Sequence, residues 1–138
     1  MKIPFSIIAI LMLCLSCNNA KKDETSTVNS VVEELCFRNE YPFPDSTENI
    51  DVLNLDLKIE GDSVTGNYNW LRALKDQRNG KLNGTIQNKT IHATYRYMQE
   101  GIEETAEITI VLEDDRAIVT GDSPDSGLDT KVAKIPCD

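Results

Sequence analysis

Histidine is nearly missing from this 138-residue chain, where His92 stands alone. No nucleophile-elbow pattern, zinc-ligand spacing or phosphate-cradling glycine loop accompanies it. With Thr94 and Arg96 beside it on the polar side of an alternating segment, His92 reads as an ordinary surface residue. No catalytic residue is therefore expected, and the chain reads as non-enzymatic. Positive charge is also scarce, at 14 basic residues against 23 acidic ones. That deficit argues against nucleic acid and against adsorption to anionic lipid, both of which need a basic face. It suits solubility, a cation or a basic protein partner. Long apolar runs are lacking too. The most apolar stretch, Ile7 to Leu13, is too short to span a bilayer as a stable helix.

That stretch nevertheless has a clear meaning. Lys2 supplies a positive start, the apolar run follows, and Cys14-Leu15-Ser16-Cys17 places a small residue directly before a cysteine. This is the layout of a signal peptide over residues 1–17. Its ending resembles a bacterial lipobox, in which the final cysteine is lipidated and becomes the first residue of the mature chain. Cys17 is the expected acceptor, because Ser16 precedes it, whereas Leu13 before Cys14 is too bulky for cleavage. Cys14 departs from the pattern, standing where leucine is usual. Lys22-Asp23-Glu24 resembles the lysine-then-acidic export signal of Bacteroidota-type lipoproteins, which implies the outer face of the outer membrane; a periplasm-facing anchor is the alternative. Residues 18–34 are polar and aperiodic, and are expected to form a flexible tether spanning on the order of 20–25 Å. Loss of the signal takes Lys2 from the 14 basic residues, leaving 13 against 23 acidic ones and a net charge of −10.

Residues 35–138 are enough for one domain with one modest core. Two cysteines survive there, Cys36 near its start and Cys137 near its end. In an oxidising compartment they are expected to pair, which would bring the two ends of the domain side by side. Between them nearly every segment alternates with period two. In Leu53 to Glu60, leucine and isoleucine take one face while Asn, Asp, Lys and Glu take the other. Val64 to Trp70, Lys81 to Gln87, Ile91 to Tyr97 and Ala106 to Leu112 repeat the pattern, with turns at Gly61-Asp62, Asn88-Lys89, Gln99-Glu100-Gly101 and Glu113-Asp114-Asp115. Ala117 to Gly121, Val132 to Cys137 and Leu35 to Tyr41 complete about eight short antiparallel strands.

A sheet with one apolar face must cover that face with itself. The predicted fold class is therefore all-β, a single meander closed into a small barrel by the disulfide, with a β-sandwich as the alternative. Val64-Thr65-Gly66, Leu82-Asn83-Gly84 and Val119-Thr120-Gly121 share an inward glycine, which in barrels marks sharp coiling or close approach. Over residues 35–137 the pattern resembles small calycin-like, lipocalin-like β-barrel lipoproteins. Eight strands leave room for side chains or one small ligand.

Candidate chemistry is sparse. Glu103 and Glu104 are neighbours on a strand and point to opposite faces, so they do not form an acid/base pair. Asp122, Asp125 and Asp129 share one loop but lack an EF-hand's alternate oxygen ligands and terminal Glu, so no metal or other cofactor is expected. The strongest candidate is the loop from Trp70 to Lys81, where Arg72, Lys75, Arg78 and Lys81 recur every three residues in an otherwise acidic chain. With one short helical turn in the loop and Trp70 over the barrel mouth, it would be a cationic rim. Trp70, Arg72, Lys75 and Arg78 are the candidate ligand-binding residues, suited to a small anionic or amphipathic molecule. Tyr68, Tyr95 and Tyr97 are expected in the core. The leading expectation is an envelope binding protein that takes a small ligand or a protein partner. The alternative is an inhibitor of a basic envelope-attacking enzyme, because small acidic barrels on lipid anchors resemble lysozyme-inhibitor lipoproteins.

Overall fold

The computed structural model describes residues 31–138. The signal peptide, Cys17 and most of the tether lie outside the described residues. Eight strands form a closed antiparallel barrel in which each strand pairs with the next and the last returns to the first. They are β1 (Val32–Phe43), β2 (Ser46–Glu60), β3 (Ser63–Leu71), β4 (Arg78–Gln87), β5 (Thr90–Gln99), β6 (Ile102–Leu112), β7 (Arg116–Gly121) and β8 (Thr130–Ile135). A 3-10 turn, Pro124–Ser126, precedes β8. Closure excludes the sandwich.

The turns follow from local chemistry. Asn88 and Lys89 both have positive φ, as do Glu100 and Gly101. Two consecutive left-handed residues make a two-residue hairpin loop whose twist matches that of the strands. Alternation then fills the barrel. Leu55, Val64, Tyr68, Ile91, Tyr95, Ile110, Val119 and Val132 are all at most 1% exposed, so the interior is packed through most of its length.

Two boundaries differ from the sequence reading. β1 starts at Val32, so Val32–Glu34 pair with Glu60, Ile59 and Lys58 instead of belonging to the tether. β2 starts at Ser46, seven residues before Leu53. Its first half was hidden because Ile50 and Val52 lie out of phase with Leu53, Leu55, Leu57 and Ile59. The register explains this. Residues 46–51 pair with β1 alone, and pairing with β3 begins only at Val52. The tip of the β1–β2 hairpin therefore projects as a two-stranded ribbon above the barrel.

The seam between β1 and β8 is short, with only Cys36–Ile135 and Phe37–Lys134 in register. Farther up, the Asn39 side chain bridges the gap, accepting from Ala133 N–H at 3.0 Å and donating to the Lys131 carbonyl at 2.7 Å. The Cys36–Cys137 disulfide is present at the foot of this seam, with Cα atoms 5.3 Å apart. Val32 pairs with Glu60 beside the Gly61–Asp62 turn. The chain thus enters at the end of the barrel opposite the ribbon and the 72–77 loop.

The inward glycines mark close approach between strands. A Cβ at Gly84 would overlap the His92 carbonyl oxygen and sit 2.6 Å from Ala93 Cα, both on β5. Backbone cannot yield as a flexible side chain can, so Gly84→Ala should force β4 and β5 apart. The expected cost is about 3 kcal/mol, at the upper end for overpacking. Urea unfolding at constant slope would measure it; an unchanged midpoint would mean that the strands separate freely.

Candidate functional site

At the upper end β3 finishes and β4 begins with Trp70 opposite Arg78, both on inward-facing positions. Arg78 is 3% exposed. Its guanidinium carbon lies 5.5 Å from the Trp70 ring centroid and 5.7 Å from those of Tyr68 and Tyr97. Arg78 Nη2 donates to the Gly127 carbonyl at 3.2 Å, whereas Nε has no partner. Trp70 Nε1 is likewise buried and unpartnered. Among the described residues Arg78 forms no ion pair.

Below it the tyrosines form a layer across the barrel. Tyr95 and Tyr97 stack with centroids 4.8 Å apart, and Tyr68 tilts against Tyr95 at 5.2 Å. Tyr68 OH donates to the Leu128 carbonyl at 3.0 Å, Tyr95 OH to the Tyr68 carbonyl, and Tyr97 OH to Glu104 Oε2 at 2.7 Å. Burial pushes the Tyr68 phenol up to about 12, against the opposing pull of the Arg78 charge. Burial raises Tyr95 in the same direction. Both phenols are therefore neutral at physiological pH and supply no counter-charge. The positive charge of Arg78 rests on π faces and one carbonyl, which soften its burial without neutralising it.

Arg78 opens into a cup of about 260 Å³, bounded by Tyr41, Asp51, Leu53, Tyr68 and Trp70 together with Gly127, Asp129 and Thr130. The cup sits where β1 and β8 diverge above the short seam. Its two carboxylates are positioned by backbone donors: Asp51 Oδ1 accepts from Ala73 N–H at 2.9 Å, and Asp129 Oδ1 from Gly121 N–H at 2.8 Å. No Ser, Cys or His lines it.

The four candidates from the loop divide. Arg72 and Arg78 both lie over the Trp70 indole, Arg72 at 5.0 Å and held by a bond from its Nε to the Asp76 carbonyl at 2.9 Å. Lys75 lies in an adjoining cleft with Phe43, Arg72 and Leu74, which shares Asp51 and Trp70 with the cup. Arg78 is a buried residue and not part of a rim. The three-residue spacing straddles the start of β4, so strand alternation turns Arg78 inward and Lys81 outward. Residues 72–77 are irregular, without the short helical turn expected from the sequence. Tyr41, Asp51 and Asp129 were missed, because they come to the cup from sequence-distant segments. An aspartate in phase with Leu53 and Leu55 was the one legible hint.

Elsewhere, His92 is on the outer wall with Nδ1 3.3 Å from Thr109 Oγ1. Asp122 accepts from Glu107 N–H. Among the described residues no group of three His, Cys, Asp or Glu side chains converges as metal ligands. Compared with known proteins, the chain matches no family model and no curated relative.

Proposed function

We propose that this is a lipid-anchored, non-enzymatic protein of the bacterial envelope that binds a small ligand in the cup at the barrel mouth. The observation that carries the reading is Arg78, a buried cation with no anionic partner at the base of a cavity. An unpaired buried charge is costly, and a ligand bringing negative charge would relieve that cost. Lipidation at Cys17 fits the same picture. The chain enters the barrel at the end opposite the cup, so a tether to the membrane would join away from the cup's mouth. Lys22-Asp23-Glu24 supports display on the outer face of the outer membrane.

The reading is tested by native mass spectrometry of the protein extracted from its own membrane in mild detergent. The expected result is an extra native mass that is lost on denaturation. A bare native mass under several extraction conditions would count against a small ligand and direct attention to a basic protein partner for the acidic surface.

A further inference from the structure

Resting on that reading, we infer that the ligand is a small zwitterion, an amino carboxylate, held with its carboxylate at the base of the cup and its ammonium at the rim. The charges in the cup are arranged by depth. Arg78, 3% exposed, is the deep cation, while Asp51 is half-buried and Asp129 exposed. Each aspartate has one carboxylate oxygen committed to a backbone N–H and the other without a hydrogen-bond partner among the described residues. The lining carries one positive and two negative charges, and Arg72 and Lys75 stand in the adjoining cleft that shares Asp51; a dianion such as a phosphate monoester would still meet two carboxylates at the entrance. A simple monoanion would gain Arg78 but leave Asp129 unanswered. A cation would gain the rim but leave Arg78 buried and unpaired. A molecule carrying both charges answers all three groups.

Size and walls narrow the class further. About 260 Å³ is just below the usual span of small-molecule sites. A space of that size limits the occupant to a small molecule. Leu53, Tyr68 and Tyr41 offer an apolar wall between base and rim. An amino acid with an apolar side chain, or an equivalent small amino carboxylate, has the required size and polarity. The deep contact should dominate, because a charge pair shielded from water is stronger than one at a solvated rim.

The test uses the full chain in mild detergent at low salt, titrated calorimetrically with three probes: L-phenylalanine, 3-phenylpropanoate, which lacks the ammonium, and phenethylamine, which lacks the carboxylate. Phenylalanine should bind most tightly, 3-phenylpropanoate about tenfold more weakly, and phenethylamine at least about a hundredfold more weakly, each tenfold step being about 1.4 kcal/mol. In Asp129→Asn, on the exposed rim, the gap between phenylalanine and 3-phenylpropanoate should shrink severalfold. Arg78→Met should abolish binding of both; should that variant not fold, the Asp129→Asn comparison and the wild-type ranking still decide. Equal binding of phenylalanine and 3-phenylpropanoate, or tightest binding of phenethylamine, would overturn the inference. If no probe binds while a different ligand is seen in the native mass, the zwitterion is wrong and the small-ligand reading survives. No probe binding together with a bare native mass would sink both.

Discussion

Removal of the Cys36–Cys137 bridge, by Cys36→Ala with Cys137→Ala, is expected to destabilise the barrel by about 4–5 kcal/mol, the chain-entropy value for a loop of about 100 residues. The sequence separation is 101. For a domain of this size the melting temperature should fall by on the order of 20 °C. Local structure makes the effect especially direct. β1 and β8 share two residue pairs, whereas β1 and β2 pair along the whole of β1. Without the bridge, the seam depends on that short ladder and the Asn39 side chain. Thermal melts of the double variant, compared with wild type in the presence and absence of reductant, measure the loss. A shift below about 5 °C would mean that the ladder alone closes the barrel.

Alkaline pH should be the second large perturbation. The Tyr68 phenol rises from an ordinary value of 10.0 to about 12 because it is buried, and burial raises Tyr95 as well. Above pH 10 the unfolded chain loses these protons while the folded barrel retains them, so raising the pH favours unfolding. Below pH 10 both states are protonated and the two phenols contribute no slope. Between pH 10 and 12 Tyr68 alone should withdraw about 3 kcal/mol, at roughly 1.4 kcal/mol per pH unit, with Tyr95 adding in the same direction. Tyrosinate absorbance followed alongside circular dichroism gives the check. Of the four tyrosines, those two should ionise only as the fold is lost. A gradual four-tyrosine titration in an intact barrel would show that the aromatic layer is open to water. The ligand reading would then also suffer, since it needs Arg78 to be shielded.

Much of the molecule was legible without coordinates, for a physical reason. A β-strand has a side-chain period of two, so Leu53 to Ile59 or Ile91 to Tyr97 declare both their conformation and their buried face in a few consecutive residues. Two-residue turns such as Asn88-Lys89 are equally local. The two cysteines beyond residue 17, Cys36 and Cys137, pointed to a bridge, and the bridge then implied adjacent ends. Reading failed at the β1–β2 ribbon. There residues 46–51, Ile50 among them, pair with β1 alone, so no third strand is present to impose the barrel's inside and outside.

The cup was only half legible. Trp70, Arg72 and Arg78 lie close together in sequence, and their composition set them apart from the acidic remainder. Whether each pointed inward or outward depended on where β4 begins. That boundary is set by pairing with β3 and β5 and not by the loop's own residues. Tyr41, Asp51 and Asp129 stand far apart in the chain and carry no shared local signature. The sequence by itself determined the strand pattern, the turns and the inward rows, since these depend on neighbours along the chain, and the disulfide, since only Cys36 and Cys137 remain beyond residue 17. Barrel closure was expected from the sequence, but its short seam and a buried arginine facing two aspartates across a cavity were decided by tertiary structure alone, because they arise from register between strands remote in sequence.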